Sequence, residues 1–266
     1  MARQMIQALA TALPDRQIHV VADAAYGARD LRGLPDQLTC TTRPRKNAAL
    51  HEPPPPRTGK RGRPRVKGPR LGSMTTLAAT ATFTPATPTR YQSTTTVHTA
   101  TISCLWYTVF GPRPVRLVLV REPGTHHGYD LALITTDTTT HPAGVIERYA
   151  ARWSIEVAIE DAKQLFGTGQ TRNRVAAAVR RTVPFALTCQ TLTMLWYTTA
   201  GHHPDDITER RERTPWYPTK TQPSTADMIT KLRRVLIATR YQPTHPQAPT
   251  PEEIHTIRLA WDTHAA

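Results

Sequence analysis

ERYAARWSIEVAIEDAKQLFG, residues 147–167, sets charged and apolar side chains at helical spacing. On a helix turning about 100° per residue, Tyr149, Arg152, Glu156, Glu160 and Lys163 fall within about 80° of one another. Ala150, Trp153 and Val157 share the neighbouring face. The spacing predicts one long helix over 142–166, with a polar face of both charge signs beside an apolar one. A solvated surface carrying i,i+3 and i,i+4 ion pairs is the plain reading of such a face. Asp161 falls away from it and reads as a surface acid.

Upstream of this helix the periodicity is that of strands. Residues 92–135 are rich in Thr, Val, Leu and aromatics, with candidate strands at 94–107, 115–121 and 130–135 and turns at Gly111-Pro112 and Pro123-Gly124. Trp106 is expected inside this sheet rather than stacked on an extruded base. Asp137, between a strand and the long helix, reads as a turn or cap residue. Further back, residues 2–13 have helical spacing and stop at Pro14-Asp15. The run Ile18, Val20, Val21 suits a short buried strand that ends at Asp23 and breaks at Gly27. A short helix at 28–32 and a strand at 37–42 follow. Downstream, helices are expected over 173–181, 184–200 and 226–241. Thr250-Pro251-Glu252-Glu253 is a helix start, with Thr as the cap, Pro first and Glu third.

Tyr149-x2-Arg152-x3-Glu156-x6-Lys163 resembles the Y-x2-R-x3-E-x6-K signature of insertion-sequence transposases of the DDE superfamily. The strand ending Val20-Val21-Ala22-Asp23-Ala24-Ala25-Tyr26 resembles that family's second-aspartate motif, and WYPTKTQPSTADMITKLRR at 216–234 is similar to its later text. The likeness covers roughly residues 1–241. It implies an α/β fold: a ribonuclease H-like core of mixed sheet flanked by helices, with a β-rich insertion and a helical C-terminal region. Residues 1–42 would carry part of that core, 43–72 a basic loop, 73–141 the insertion and core strands, 142–201 the signature helix, and 202–266 a helical tail.

The resemblance also implies the chemistry. Asp23 and Glu156 become catalytic carboxylates holding Mg²⁺ or Mn²⁺, hard cations that prefer carboxylate oxygens. Arg152 and Lys163 suit phosphate, and Tyr149 becomes a further DNA contact. A cap or turn role is the competing reading of Asp23, and a structural role that of Tyr26. The family's set is Asp, Asp, Glu, with the first Asp on a strand upstream of the helix that opens this chain. Asp15 does not match it. The sequence is therefore expected to be a C-terminal portion that binds DNA without cutting it. Catalysis would return if upstream sequence supplied the missing strand.

Charge agrees with a polyanionic partner. The 266 residues hold 34 Lys+Arg against 20 Asp+Glu, a net charge of +14. Residues 43–70 contain ten of those cations and one acid, Glu52, together with four consecutive prolines. They are expected to form an exposed, mobile loop. Lys60-Arg61-Gly62-Arg63-Pro64-Arg65 contains the Arg-Gly-Arg-Pro core of an AT-hook, which would put Arg61, Arg63 and Arg65 in an A·T minor groove. A basic loop touching phosphates without sequence preference is the alternative. Three separated cysteines suggest reduced thiols. No stretch reads as a leader or membrane span, so a bacterial cytoplasmic, nucleoid-associated protein is expected. The partner is double-stranded DNA, the transposon ends, with copies of the chain assembling on it. The other readings are a non-catalytic DNA-binding remnant of a transposase and an unrelated basic nucleic-acid-binding protein.

Overall fold

The computed structural model describes all residues except 1, 28, 57–62, 171, 173, 241–249 and 264–266, and among the described residues nine α-helices and eight strands follow one another. The chain forms two compact units, Met1–Ser154 and Ile155–Ala266. The first unit contains α1 (Ala2–Ala12), β1 (Ile18–Ala22), β2 (Leu38–Thr42), α2 (Met74–Thr80), β3 (Thr84–Ala86), β4 (Thr89–Arg90), β5 (Ser93–Thr94), β6 (Val97–Cys104), α3 (Tyr107–Phe110), β7 (Val115–Arg121), β8 (Leu131–Thr135) and α4 (Pro142–Ala150). Six strands form a mixed sheet in the order β1-β2-β8-β7-β6-β3. β1 and β2 run parallel and every other pairing is antiparallel. With helices packed on it, this is the α/β class the sequence implied.

The two-residue period of the strands sorts side chains to two faces. Leu117 and Leu119 of β7, Ile134 of β8, Leu38 and Cys40 of β2, and Ala100 and Cys104 of β6 point into one core with Ala10, Met74, Ala78, Trp106 and Phe110. Val118, Val120, Leu133 and Val97 point to the other face, where Val145 and Ile146 of α4 cover them. Leu117, Val118, Leu119 and Val120 have no exposed surface, so β7 is buried on both faces. Each such side chain contributes about 1.5–3 kcal/mol relative to exposure. Gly111 and Gly124, at φ 66° and 88°, supply the left-handed residues for the turns on either side of β7.

β1 differs from its expectation. It stands at the sheet's edge, and Ile18 to Val21 are only partly buried because a strand pairs on one side alone. The α4-facing side of this end of the sheet is also polar. His19 Nδ1 lies 2.6 Å from Thr39 Oγ1 and its Nε2 lies 2.8 Å from Thr41 Oγ1, while Thr41 Oγ1 donates to Thr135 Oγ1 at 3.0 Å.

The expected mobile loop is anchored at its root. Leu50 is 1% exposed and belongs to the main core. His51 and Leu105 exchange backbone hydrogen bonds of 2.9 and 2.7 Å, Glu52 N–H donates to Pro69 O, Gly68 N–H to Glu52 O and Leu71 N–H to Leu50 O, each at 2.9 Å. Residues 50–52 and 68–71 are thus zipped together as the root of an arm.

The second unit holds α5 (Ser154–Gln164), α6 (Ala176–Trp196), α7 (Asp206–Arg213), α8 (Thr225–Arg240) and α9 (Pro251–Thr263). α6 runs through Pro184, where the sequence suggested two helices, and passes into a π-helical turn at Tyr197–Gly201. Buried Gln190 is satisfied by donating to Ala158 O of α5 at 3.0 Å. α5 ends on Gly167 at φ 70°, with Thr168 N–H donating back to Ala162 O. The helix start at 250–253 forms as read: Thr250 N–H donates to Glu253 Oε2 at 2.7 Å and Glu253 N–H to Thr250 Oγ1 at 3.3 Å.

Candidate nucleic-acid interface and carboxylate positions

Asp23 follows β1 directly and caps the 3₁₀ turn Ala24–Tyr26, its Oδ1 accepting from Ala25 N–H at 3.0 Å. Its backbone carbonyl accepts from Thr42 Oγ1 at 2.9 Å, which ties the strand end to β2. The carboxylate is exposed, and capping is compatible with its second oxygen meeting a cation. Gly27 closes this turn against the core: a Cβ there would stand 2.9 Å from Cη2 of Trp106. Trp106 is 4% exposed and packs edge-on against Phe110, so it is a core residue and takes no part in base stacking. Tyr26 is 57% exposed and is not part of the core.

The long helix expected over 142–166 is interrupted. α4 ends at Ala150, a 3₁₀ turn covers Ala151–Trp153, and α5 begins at Ser154. A 3₁₀ turn advances about 120° per residue, so one α-helical period does not run unbroken from α4 into α5. Tyr149 is half-buried against the Val145–Ile146 core, with the Arg152 guanidinium 5.9 Å from its ring centroid. These two signature residues are brought together, and both belong to the first unit. Glu156 lies in the first turn of α5 and Lys163 in its last, both within the second unit. Lys163 is exposed, and Glu156 is partly buried. Asp161 is not a surface acid: its Oδ2 accepts from buried Thr225 Oγ1 at 2.5 Å and tethers the start of α8.

Arg63 and Arg65 are exposed on the arm, and Arg61 lies outside the described residues. The stretch at 216–234 has a structural reading. Asp227 accepts from Ser224 N–H at 2.7 Å, from Arg210 Nε at 3.1 Å and from Lys220, capping α8 and binding α7 to it. These donors overcome the effect of burial and hold the Asp227 carboxyl below the usual carboxylate range.

Asp137 is the turn residue the sequence suggested, and it also makes an ion pair with Arg148 that the sequence did not show. Asp137 accepts from the backbone N–H groups of Thr139 and Thr140 at 3.0 and 3.1 Å, from both their hydroxyls, and from Arg148 Nη1 at 2.5 Å. Burial alone would raise its pKa, but these donors hold it far below the usual range. Arg148 also lies 3.5 Å from His19 Nδ1. Burial first, then Arg148, keeps His19 below its ordinary value, partly offset by Asp137. A Thr-x-Asp-x-Thr-Thr run before a helix is the signal that marks such a turn.

Residues 1–104 match the family described as DDE superfamily endonuclease. The match supports a DDE transposase-type domain and spans β1, Asp23, β2, the arm and β6; it ends before Tyr149. A search of curated proteins finds no match to the chain. Endonucleases of this superfamily generally use divalent metal ions and act on DNA. Among the described residues no group of three or more His, Cys, Asp or Glu side chains is placed to hold a metal ion. Among the described residues no helix is long and apolar enough to cross a membrane.

Proposed function

We propose that this chain binds double-stranded DNA as part of a DDE-type insertion-sequence transposase of the Y-x2-R-x3-E-x6-K group. The observation that carries the reading is the coincidence, inside the matched segment, of a strand ending in an exposed capped Asp23 and a basic arm fixed to the core by Leu50. The arm presents Arg63 and Arg65 to solvent, and Arg61 stands between them and Lys60 in sequence. Neutralising phosphates with such cations releases counterions and drives binding without sequence preference. An AT-hook use of the same arm would add a preference for narrow A·T minor grooves.

In this reading Asp23 and Glu156 are two carboxylates of the Asp-Asp-Glu set. Mg²⁺ or Mn²⁺ is the ion that the complete set would hold. Arg152, braced on Tyr149, and Lys163 are the phosphate contacts of the signature. The reading assigns DNA binding without strand cleavage to this chain, and assembly of several copies on paired DNA ends. The test is fluorescence anisotropy of the intact chain with labelled duplexes from 50 to 200 mM salt. A linear fall of log K with log salt supports the reading, and absence of binding at low salt removes it. Stronger binding to an A·T-tract duplex than to a G·C duplex would select the minor-groove mode.

A further inference from the structure

The root of the arm carries a cation cluster of its own. Tyr107 opens α3 directly after Trp106, and two cations lie over its ring: the Arg32 guanidinium 5.1 Å and Lys67 Nζ 5.7 Å from the centroid. Arg32 Nη2 also donates to Tyr107 O at 2.5 Å, which fixes the guanidinium at this position. Lys67 Nζ donates to His51 Nε2 at 3.0 Å. His51 is 8% exposed and is cross-bridged to Arg70. Burial and then the Lys67 charge hold the His51 pKa below its ordinary value, so the neutral ring accepts that hydrogen bond. Its Nδ1 is buried without a hydrogen-bond partner among the described residues.

Arg32, Lys67 and Arg70 are all exposed, and among the described residues none has a carboxylate within 4.0 Å. Other cations of the same unit are compensated, Arg90 by Glu122 and Arg148 by Asp137. The Tyr107 ring face orients Arg32 and Lys67 and the neutral His51 imidazole accepts from Lys67, without cancelling either charge, and Arg70 stands beside His51 across the backbone bridge. Three uncancelled cations gathered at the arm's root concentrate positive potential, and a polyanion relieves it.

We propose that Arg32, Lys67 and Arg70, gathered round Tyr107 and His51 at the root of the arm, form a phosphate-contacting site for the backbone of double-stranded DNA. The site rests on the DNA-binding reading above and adds to it. The root grips the backbone through fixed cations, so a duplex is held where the arm leaves the core. Phosphate contacts of this kind set position and carry no sequence information.

The test uses the full chain and a labelled random-sequence duplex from 50 to 200 mM salt. Each lost phosphate contact lowers the salt slope by about 0.9, so Lys67→Gln/Arg70→Gln lowers it by about 1.8. The affinity ratio of wild type to variant then shrinks about twelvefold across that fourfold rise in salt. Lys67→Arg/Arg70→Lys keeps both charges and is expected to keep the slope. Thermal melts show that each variant is folded, and Arg32 is left intact because it also holds the Tyr107 carbonyl. A folded Lys67→Gln/Arg70→Gln variant with the wild-type slope overturns the site while leaving DNA binding standing. Equal slope loss in the charge-preserving variant also overturns it. Wild-type protein that does not bind the duplex at all overturns the DNA reading itself.

Discussion

Replacing Leu50 with Ala tests whether the arm is held by the core. Leu50 is 1% exposed among Leu, Met, Trp and Phe side chains of the main core, so truncation leaves a cavity that rigid sheet residues cannot fill. Buried Leu→Ala changes cost about 2–5 kcal/mol. The arm's root has its own backbone bonds, at Glu52, Gly68 and Leu71, and these open together if the anchor fails. A loss near 3 kcal/mol corresponds to about a hundredfold faster exchange of those amides. Hydrogen exchange read residue by residue gives the answer. In the wild type, amides 52, 68 and 71 are expected to be protected, and in Leu50→Ala that protection falls by about two decades. Wild-type amides exchanging at free-peptide rates would refute the anchored arm. So would a Leu50→Ala protein with unchanged protection at these three positions.

Acidification is expected to destabilise the first unit in two stages. His19 and His51 are held below the ordinary value of 6.5, so below about pH 6.5 the unfolded chain binds more protons and stability falls as pH drops from 7 towards 5. His19→Gln should flatten part of that slope in melting curves, and an unchanged slope would remove His19 as a contributor. The Asp137 carboxylate stays ionised far into acid, so its contribution is present above about pH 4 and is lost below it. Gly27→Ala drives a Cβ to 2.9 Å from Trp106 and is expected to cost about 1–3 kcal/mol. A melting temperature equal to wild type would contradict that packing.

The strands β6, β7 and β8 were legible because apolar residues alternate between two faces and turn glycines bound them. The place of Asp23 at a strand end was legible for the same reason, and the cap at Thr250 from its four residues. Leu50 was not, because a single apolar residue beside a run of prolines and cations carries no period. The break at Ala151–Trp153 leaves no mark either, since these residues suit a 3₁₀ turn and an α-helix alike. Pro184 misled in the opposite direction: the helix around it continues, despite the lost backbone donor. The edge position of β1 depends on which strands pair with it, and local sequence does not encode that. The Asp137–Arg148–His19 network joins a turn, a helix and a strand, so only the folded chain assembles it.

DNA binding without cleavage is decided by incubating the intact chain with supercoiled plasmid, with and without Mn²⁺ or Mg²⁺, alongside Asp23→Ala and Glu156→Ala. The account predicts that all three proteins retard the plasmid at low salt, release it as salt rises, and leave it supercoiled. Metal-dependent nicking by the wild type that disappears in Glu156→Ala would show a complete carboxylate set in this chain and contradict the account.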